Sequence, residues 1–561
     1  MFRKLIFSTI ILSLILCNIA TAQQQDIDIR IRGTNTRYEP GDWTSYSMTR
    51  WITSLTEGRE YVYFGTSGGV TRYNFYSNKW DTPWTTSDGL ADNFVQAVAY
   101  DMNTDYFWCS TPQGISVNRT TFRRWENFFK DEIGLDQDDD IISIGFDDRY
   151  VWLESKFGNY LRSENQQGFF ARAAASEVPI ERINWFGQRV NNLSKLPNLF
   201  MHGGYFFDPN GFIKDYRLNN YKVTSYFRDP WNTIWISSWG LGAGKADARI
   251  EILELMPYGL FIKNVNAVEM DFDYNIWAGG IGFYGNESGI TYWDTQNSTW
   301  TNYQARFLND LHSDQVTSIA VDDSCIWFGT EYGLACFAPD KNEWRTYDVS
   351  AGLGDNYVFD VEVDDENVWI GTLNGLSQII KDSLGTKKFR IKEIARRDLL
   401  RKKVYDIEIM QNLLWLGTEY GVYIYDKAEN TGGFEDDPNG PMNDEVRAVG
   451  IFEDKEVWFG LEDGVEVFYM DSTTWGGAPE RRFLSSTFVN YIVVDEFSAW
   501  VATDNGVLKY DKERKRWVHF TTEDGLLSNY VNCIMLDGDY VWFGTPEGLT
   551  KFYWNAPYRI D

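Results

Sequence analysis

Residues 316–347 read VTSIAVDDSCIWFGTEYGLACFAPDKNEWRTY, and this stretch decides the fold. It holds four short runs rich in Val, Ile, Phe, Trp and Tyr, separated by Gly, Asp or Pro. Such runs are typical of short β-strands that are bounded by turns. The landmarks are Val316-x-x-Ile319 ending at Asp322, Trp327-Phe-Gly-Thr330 followed by Gly333-Leu334, and Trp344-x-x-Tyr347. The stretch therefore predicts one four-stranded unit.

The same landmarks recur along almost the whole chain. Similar first runs begin at Val95, Val265, Val358, Val489 and Val531. The aromatic residue of the second strand recurs at Tyr63, Trp108, Trp152, Trp235, Trp277, Trp327, Trp369, Trp415, Trp458, Trp500 and Trp542. Most neighbours in this series are 42 to 46 residues apart. The gap of 83 residues after Trp152 leaves room for a degenerate repeat around Phe200–Phe206, which we call the worn unit. About twelve four-stranded repeats predict an all-β fold of tandem β-propeller blades.

Twelve blades exceed the usual size of one ring, so we expect two rings. Residues 43–298 would form the first β-propeller and residues 299–561 the second, with six blades each. Each half then begins with a Trp-x-x-Tyr strand, at Trp43 and Trp300. Seven plus five is the alternative, because every unit boundary offers the same closing strand. The chain enters on a fourth strand and ends on a third strand near Phe552, so we expect the first strand to complete a late blade.

The N-terminal residues carry the pattern of an export signal. Arg3 and Lys4 precede an apolar run, and Ala20-Thr-Ala22 is a small-residue cleavage pattern. We predict a signal peptide at residues 1–22 and a linker at 23–42. No later stretch is long and apolar enough to cross a membrane, so we expect an exported mature chain in the periplasm, on the outer surface or secreted. The formal net charge of −29 argues against a nucleic-acid partner.

The cysteines and acidic loops give weak signals. Cys325 and Cys336 flank a predicted turn, and a disulfide between them stays open, because the geometry of a bridge is specific. No cysteine spacing fits a zinc site. The acidic loops 136–140 and 435–440 offer oxygen ligands but lack the spacing of an EF-hand. We expect no cofactor, with calcium as the alternative.

The motif set Val-x-x-Ile-x-x-Asp, Trp-Phe-Gly-Thr-x-x-Gly-Leu and Trp-x-x-Tyr resembles the two-component regulator propeller repeat over nearly all of residues 43–554. The resemblance implies a sensor-type, ligand-binding β-propeller. In the sensor kinases of this family, such propellers lie in the periplasm and respond to oligosaccharides. This sequence departs from those kinases, because it shows no later membrane span, β-sandwich or kinase. The resemblance therefore implies a stand-alone exported form.

The candidate binding residues lie in loops at one end of the blades. The loop into each innermost strand and the turn between the second and third strands surround the central channel. Asn, Asp and Glu beside aromatic rings suit sugar binding, since rings stack on sugars and the polar groups bond their hydroxyls. Asn and Asp are also common loop formers, which is the structural alternative. The candidate ligand-binding residues are Asn93, Phe94, His312, Asp314, Gln315, Glu331, Tyr332, Asn356, Tyr357, Glu419, Tyr420, Asn529, Tyr530 and Glu547.

These observations favour a non-catalytic binding or sensor-type propeller that recognises a glycan or an envelope protein on its channel face. The sequence has no Gly-x-Ser-x-Gly, His-Glu-x-x-His or phosphate-loop motif. One alternative is a polysaccharide lyase or hydrolase, with His312 or Tyr357 as candidate catalytic groups. The other is a cell-envelope scaffold that holds other exported proteins.

Overall fold

The computed structural model describes residues 38–119, 124–164, 168–190, 196–208, 210–282, 289–381, 384, 391–394, 399, 401–477 and 487–559. The predicted signal peptide and most of the predicted linker lie outside these residues. The described residues form strands and short 3-10 helices but no α-helix. They also contain no helix with the length and apolar character needed to span a membrane.

The strands group into eleven sheets, nine of them four-stranded and antiparallel, which confirms the predicted all-β blade architecture. We call the four sheets within residues 52–256 the N-terminal propeller. Its strands are β2 (Ile52–Glu57), β3 (Tyr61–Thr66), β4 (Gly69–Asn74), β5 (Lys79–Trp84), β6 (Ala97–Asp101), β7 (Tyr106–Thr111), β8 (Gly114–Arg119), β9 (Arg124–Phe129), β10 (Ile141–Phe146), β11 (Tyr150–Ser155), β12 (Tyr160–Glu164), β13 (Ala171–Ala173), β14 (Asn184–Gly187), β15 (Phe200–Met201), β16 (Phe206–Asp208), β17 (Phe212–Lys214), β18 (Asn220–Arg228), β19 (Thr233–Ser238), β20 (Gly242–Asp247) and β21 (Ile252–Met256).

We call the other seven sheets the C-terminal propeller. Its strands are β1 (Trp43–Tyr46), β22 (Ala267–Met270), β23 (Ile276–Gly279), β24 (Ile290–Asp294), β25 (Thr299–Tyr303), β26 (Val316–Val321), β27 (Ile326–Thr330), β28 (Gly333–Ala338), β29 (Glu343–Tyr347), β30 (Val358–Val363), β31 (Asn367–Thr372), β32 (Gly375–Ile380), β33 (Ile391–Glu393), β34 (Val404–Met410), β35 (Leu413–Thr418), β36 (Gly421–Asp426), β37 (Thr431–Phe434), β38 (Val446–Phe452), β39 (Glu456–Leu461), β40 (Gly464–Tyr469), β41 (Thr474–Gly477), β42 (Val489–Val494), β43 (Ser498–Thr503), β44 (Gly506–Asp511), β45 (Arg516–Phe520), β46 (Cys533–Asp537), β47 (Tyr540–Thr545) and β48 (Gly548–Tyr553). The 3-10 helices are Thr86–Asp88, Ala175–Glu177, Ile180–Arg182, Gln188–Val190, Ala305–Phe307, Pro339–Lys341 and Val349–Ala351.

The division between the propellers differs from the expected boundary after residue 298. The innermost strands of the seven C-terminal sheets contact one another in a closed order, from β22 through β26, β30, β34, β38, β42 and β46 back to β22. In the N-terminal propeller, β2 contacts β6 and β18, and β6 contacts β10. Seven of the described sheets thus follow one closed order, and the other four lie within residues 52–256. The repeat alone could not reveal this, because each unit carries the same closing strand.

The expected worn unit around Phe200–Phe206 is not a separate blade among the described residues. β15 pairs in parallel with β21, while β16 and β17 extend the opposite edge through β18. Both additions belong to one seven-stranded sheet that also contains Trp235. The long gap in the repeat series therefore enlarges an existing blade.

The tryptophans of the repeat pack between neighbouring blades, as the sequence predicted. Trp369 lies in one cluster with Val404 and Ile407 of the next blade. The same role recurs around the chain, and the tryptophans among the largest fully buried side chains are Trp152, Trp277, Trp327, Trp369, Trp415, Trp458, Trp500 and Trp542. Each buried indole contributes on the order of 2–3 kcal/mol, so these contacts hold the blades together.

The aspartate that follows the first strand of the repeat has two structural roles: it shapes a turn, as the sequence predicted, and it also bonds the indole of a buried tryptophan. Asp364 Oδ1 accepts hydrogen bonds from the backbone N–H groups of Glu366 and Asn367, as a turn residue does. Its Oδ2 accepts a bond from Trp369 Nε1 at 2.9 Å. The same bond recurs in Asp147–Trp152, Asp229–Trp235, Asp271–Trp277 and Asp537–Trp542. In these five units a polar bond thus fixes the buried indole.

Strand β1 closes the C-terminal propeller, as expected from the order of the strands. It pairs with β48, with Trp43 opposite Phe552, and so completes the blade formed by β46, β47 and β48. The rings of Trp43 and Phe552 stack with centroids 3.9 Å apart, and Trp43 is only 3 % exposed. Asp42 and Arg559 form a buried ion pair at 2.9 Å beside this strand. The N-terminal propeller is therefore inserted between β1 and β22.

Carboxyl groups of three innermost strands gather in the channel of the C-terminal propeller. They are Glu269, Asp360, Glu362, Asp406 and Glu408, and all of them line one cavity. Burial raises the pKa of Asp360 to about 6 and that of Glu269 to about 7. Burial and the neighbouring carboxylates raise the pKa of Glu408 well above its usual range. These carboxyl groups therefore stay protonated in the folded protein at pH values at which the unfolded chain has released their protons.

We expect Trp43→Ala to lower the free energy of unfolding by about 3–5 kcal/mol, since it removes the ring that stacks on the closing strand's partner. Urea unfolding followed by circular dichroism measures the change. Tyr76→Ala is the matched control, because Tyr76 is 67 % exposed and its loss should change little. An equal change in the free energy of unfolding in the two variants would contradict the prediction that the pairing of β1 stabilises the propeller.

We expect Glu269→Gln to flatten the dependence of stability on pH. The folded pKa of Glu269 lies above that of the unfolded chain, so its contribution is present below about pH 4 and is lost as the pH rises to about 7. Melting temperatures measured from pH 4 to 8 should fall less steeply in this variant than in the unchanged protein. Glu523→Gln, at an exposed position, should follow the unchanged protein, and identical slopes in all three would refute the assignment.

Candidate functional site

Bulges in the innermost strands set the lining of the C-terminal channel. The register of β30 with β31 shifts between Val358 and Asp360, which leaves Phe359 as the extra residue. Such a bulge re-aims a side chain. The same shift occurs at the second residue of the repeated Val-x-x-Ile run in other blades, and the bulged residues Thr317, Phe359, Tyr405, Arg447 and Asn490 all line the channel cavity. The run therefore places a variable residue at the channel.

Aromatic rings form a continuous arc at this channel. The ring of Phe359 lies 4.7 Å from that of Tyr357 and 5.0 Å from that of Tyr405, between centroids. The guanidinium carbon of Arg447 lies 5.7 Å from the Tyr405 centroid and 5.9 Å from that of Phe488. We call Tyr357, Phe359, Tyr405 and Phe488 the aromatic arc. Tyr357, Phe359 and Tyr405 line a cavity of about 330 Å³, and Phe488 adjoins it through Arg447.

Polar groups accompany the arc. Burial and a hydrogen bond with Glu445 raise the pKa of Tyr405, so this phenol stays a donor at neutral pH. Across the channel, the amide side chains of Asn266, Asn490 and Asn532 line the same cavity. Arg447 is the one cationic side chain among the described residues that line it. The mouth thus combines ring faces with uncharged hydrogen-bonding groups above the carboxyl cluster.

A second cavity, of about 440 Å³, lies between the two propellers, and we call it the interpropeller cleft. Its aromatic walls are Trp51 and Trp239, whose centroids are 5.2 Å apart, together with Phe94. Lys263 Nζ and Glu547 Oε2, 2.7 Å apart, form its polar flank. Three sequence-predicted residues, Asn93, Phe94 and Glu547, therefore meet here, away from the aromatic arc.

The predicted asparagines act as loop anchors. The Oδ1 of Asn93 accepts a bond from the backbone N–H of Thr86 at 2.8 Å. Asn356 and Asn529 accept the equivalent bonds from Val349 and Thr522. The identical bond in three blades indicates that these side chains shape the entry loops, as the structural alternative proposed.

The remaining predicted residues separate into bonded loop residues and exposed rings. The side chains of Asp314 and Gln315 accept bonds from the backbone N–H groups of Ala305 and Gly282. His312 is exposed and does not line the channel cavity. Glu419 forms an ion pair with Lys403, and Glu331 lies beside Tyr332 in a turn. The exposed rings are Tyr332, Tyr420 and Tyr530, and Tyr530 lines the channel cavity with Tyr357.

Sequence reasoning missed Phe359, Tyr405, Arg447 and Asn490, although a signal for them existed. Each is the second residue of a Val-x-x-Ile run whose first and fourth residues repeat. The alternation of a strand assigns this position no special role, and only the bulge turns it towards the channel. A variable residue inside an otherwise repeated run was therefore the available signal.

The described residues contain no group of three or more His, Cys, Asp or Glu that could hold a metal ion. In the acidic loop at 136–140, Asp139 accepts bonds from Ser155, Asn159 and the backbone of Phe157, and Asp140 pairs with Lys130. These oxygens therefore serve the fold. Cys325 and Cys336 are free thiols, and their mutual hydrogen bond lowers the pKa of Cys325 to about 7.

Another cavity, of about 590 Å³, lies at the other end of the N-terminal propeller, where the innermost strands finish. Glu57, Tyr100, Trp185 and Arg228 are among its lining residues. None of the sequence-predicted residues lines it.

The sequence matches no family model and no curated protein. Among solved structures, PorZ, an essential surface component of the type-IX secretion system of Porphyromonas gingivalis, is similar over 91 % of this chain and 87 % of its own, with 15 % identity and a TM-score of 0.58. The extracellular domain of the hybrid two-component system BT4673 from B. thetaiotaomicron is similar over 90 % of this chain and 70 % of its own, with 14 % identity and a TM-score of 0.45. That of BT3049 from the same organism covers 94 % and 77 %, at 15 % identity and a TM-score of 0.42. The similarity to PorZ supports the propeller fold.

Proposed function

We propose that this protein is an exported, non-catalytic binding propeller that recognises an oligosaccharide at the mouth of its C-terminal channel. The aromatic arc carries this proposal. The rings of Tyr357, Phe359 and Tyr405, from two neighbouring blades, lie edge to edge or tilted along one side of the channel, and Arg447 of the next blade joins them to Phe488. Three asparagine amides line the same cavity. Ring faces cover the C–H faces of sugars, and amides bond hydroxyls in both directions.

The chemistry of the channel favours binding over catalysis. No histidine is among the described residues that line the cavity, and His312 lies outside it. Tyr357, the other candidate catalytic group, has a pKa raised by burial and by Glu331, which disfavours the phenolate form that a base requires. Burial raises the pKa of the channel carboxyls, and for Glu408 the neighbouring carboxyl groups raise it further, so the fold accounts for these raised pKa values without a catalytic role.

The proposed location outside the cytoplasm rests on the export signal predicted at residues 1–22. The aromatic arc is open to solvent at Phe488, which is 38 % exposed, and Tyr530, which lines the same channel cavity, is 44 % exposed. Exposed rings around a cavity mark interaction sites in proteins. An extracytoplasmic surface is where such a site meets polysaccharide.

The first test is native gel electrophoresis of the mature chain in gels that contain laminarin, xylan or mannan. A bound polysaccharide slows migration relative to a gel without it. Recovery of the polysaccharide with unchanged chain length supports binding without catalysis, whereas shortened chains would support the lyase or hydrolase. Unchanged migration in all three gels would refute the oligosaccharide proposal and favour the protein scaffold.

We expect the double substitution Phe359→Ala and Tyr405→Ala to weaken binding by at least about tenfold, because two stacked rings contribute more than about 1.4 kcal/mol. Isothermal titration with the retained polysaccharide measures the affinity. Tyr274→Ala is the matched control, since Tyr274 is 70 % exposed on the turn between β22 and β23. Equal affinities of the double variant and the control would exclude the aromatic arc as the site.

A further inference from the structure

The interpropeller cleft has two indole rings in its wall that the core does not cover as it covers the tryptophans of the repeat. Trp239 is 39 % exposed, whereas the repeat tryptophans are almost fully covered. Trp51 and Trp239 are joined by an antiparallel β-bridge, which fixes both rings at the cleft. Gly240 has a φ of +113°, and a Cβ there would stand 3.0 Å from the Trp51 ring, so glycine permits this close approach. The backbone thus holds an open aromatic wall in place.

The cleft adjoins the channel mouth through a strip of amides. Lys263, on the wall of the cleft, precedes Asn264 in the chain. Asn264 Nδ2 donates to Asn266 Oδ1 at 3.1 Å, and Asn532 Nδ2 donates to Asn264 Oδ1 at 2.9 Å. Asn266 and Asn532 line the channel cavity. One bonded strip therefore runs from the channel to the cleft.

From this arrangement we infer that the ligand is a linear polysaccharide chain that extends from the aromatic arc, across the amide strip, into the interpropeller cleft. This inference rests on the proposed function and adds a second binding site, built by Trp51 and Trp239. Rings at both ends stack on sugar units, and the amides between them bond hydroxyls of the intervening units. The site thus recognises a chain, and a disaccharide fills only its channel end.

The polar flank of the cleft suits the same ligand. The Lys263–Glu547 pair is about 42 % exposed on both side chains, so it is screened by water and contributes little to holding the propellers together. Asp92 also lines the cleft. Charged groups at the edge of an open aromatic wall are available to bond sugar hydroxyls, as in other concave sites with few polar groups.

The experiment compares short and long probes of the same linkage on the mature chain. The pairs are laminaribiose with laminarin, xylobiose with xylan, and mannobiose with mannan, and the titration uses the pair whose polymer binds. We expect Trp51→Ala with Trp239→Ala to lower the affinity for the polymer at least about tenfold and to leave the affinity for the disaccharide unchanged. Trp231→Ala, a 58 % exposed tryptophan on the turn after β18, is the matched control.

The outcomes separate the two proposals. If the tryptophan variant binds polymer as the control does, while Phe359→Ala with Tyr405→Ala loses both probes, the second site is refuted and the channel site stands. If no probe binds the unchanged protein, the oligosaccharide proposal itself fails. The single variant Trp239→Phe keeps a ring at the half-exposed position, so retained polymer binding there, beside loss in Trp239→Ala, supports stacking. Equal loss in both single variants, or a melting temperature far below that of the control, would mean that the substitutions disturb the fold.

Discussion

The pairing of β1 with β48 is the constraint on which the rest of the structure depends. A propeller ring is held by contacts between neighbouring blades, and a blade without its outer strand exposes an open edge. Only four residues, Trp43–Tyr46, supply the missing strand. The buried Asp42–Arg559 pair and the stacked Trp43 ring fasten the N-terminal end of this short strand. The order of the sheets, the insertion of the N-terminal propeller and the cleft between the propellers all follow from it.

The innermost strand combines packing and lining of the channel within four residues. In β34, Val404 and Ile407 are buried among neighbouring blades, while the bulged Tyr405 reaches the channel. Because the bulge separates these roles, the bulged residue differs among blades without disturbing the core. Thr317, Phe359, Arg447 and Asn490 occupy the same place elsewhere in the ring. The channel therefore varies in chemistry around a uniform scaffold.

Repetition explains what could be predicted from the sequence and what could not. Motifs that recur at a fixed spacing predicted the blades, the burial of the tryptophans and the pairing of the Trp43 strand with a blade late in the chain. The grouping of seven described sheets into one closed order did not follow from these motifs. Trp300 and Trp43 lie in equivalent strands, whichever ring they close. The loop asparagines were predicted by chemical type, yet Asn93, Asn356 and Asn529 anchor loops. The residues of the aromatic arc depend on a bulge, which is a property of two paired strands rather than of one run.

The insertion of one propeller within the other also determines the order in which the chain can mature. Ser45 and Thr550, which hydrogen-bond across the closing pair, are 505 residues apart. At about 5–20 residues per second, roughly 25–100 s separate the synthesis of the two strands. During that time β1 lacks its partner β48. The other six C-terminal blades cannot form a closed ring until the seventh blade, which contains both strands, is complete. Synthesis from the N-terminus therefore leaves an open strand edge until the end, and a chaperone that shields β1 from other chains would protect the yield of folded protein.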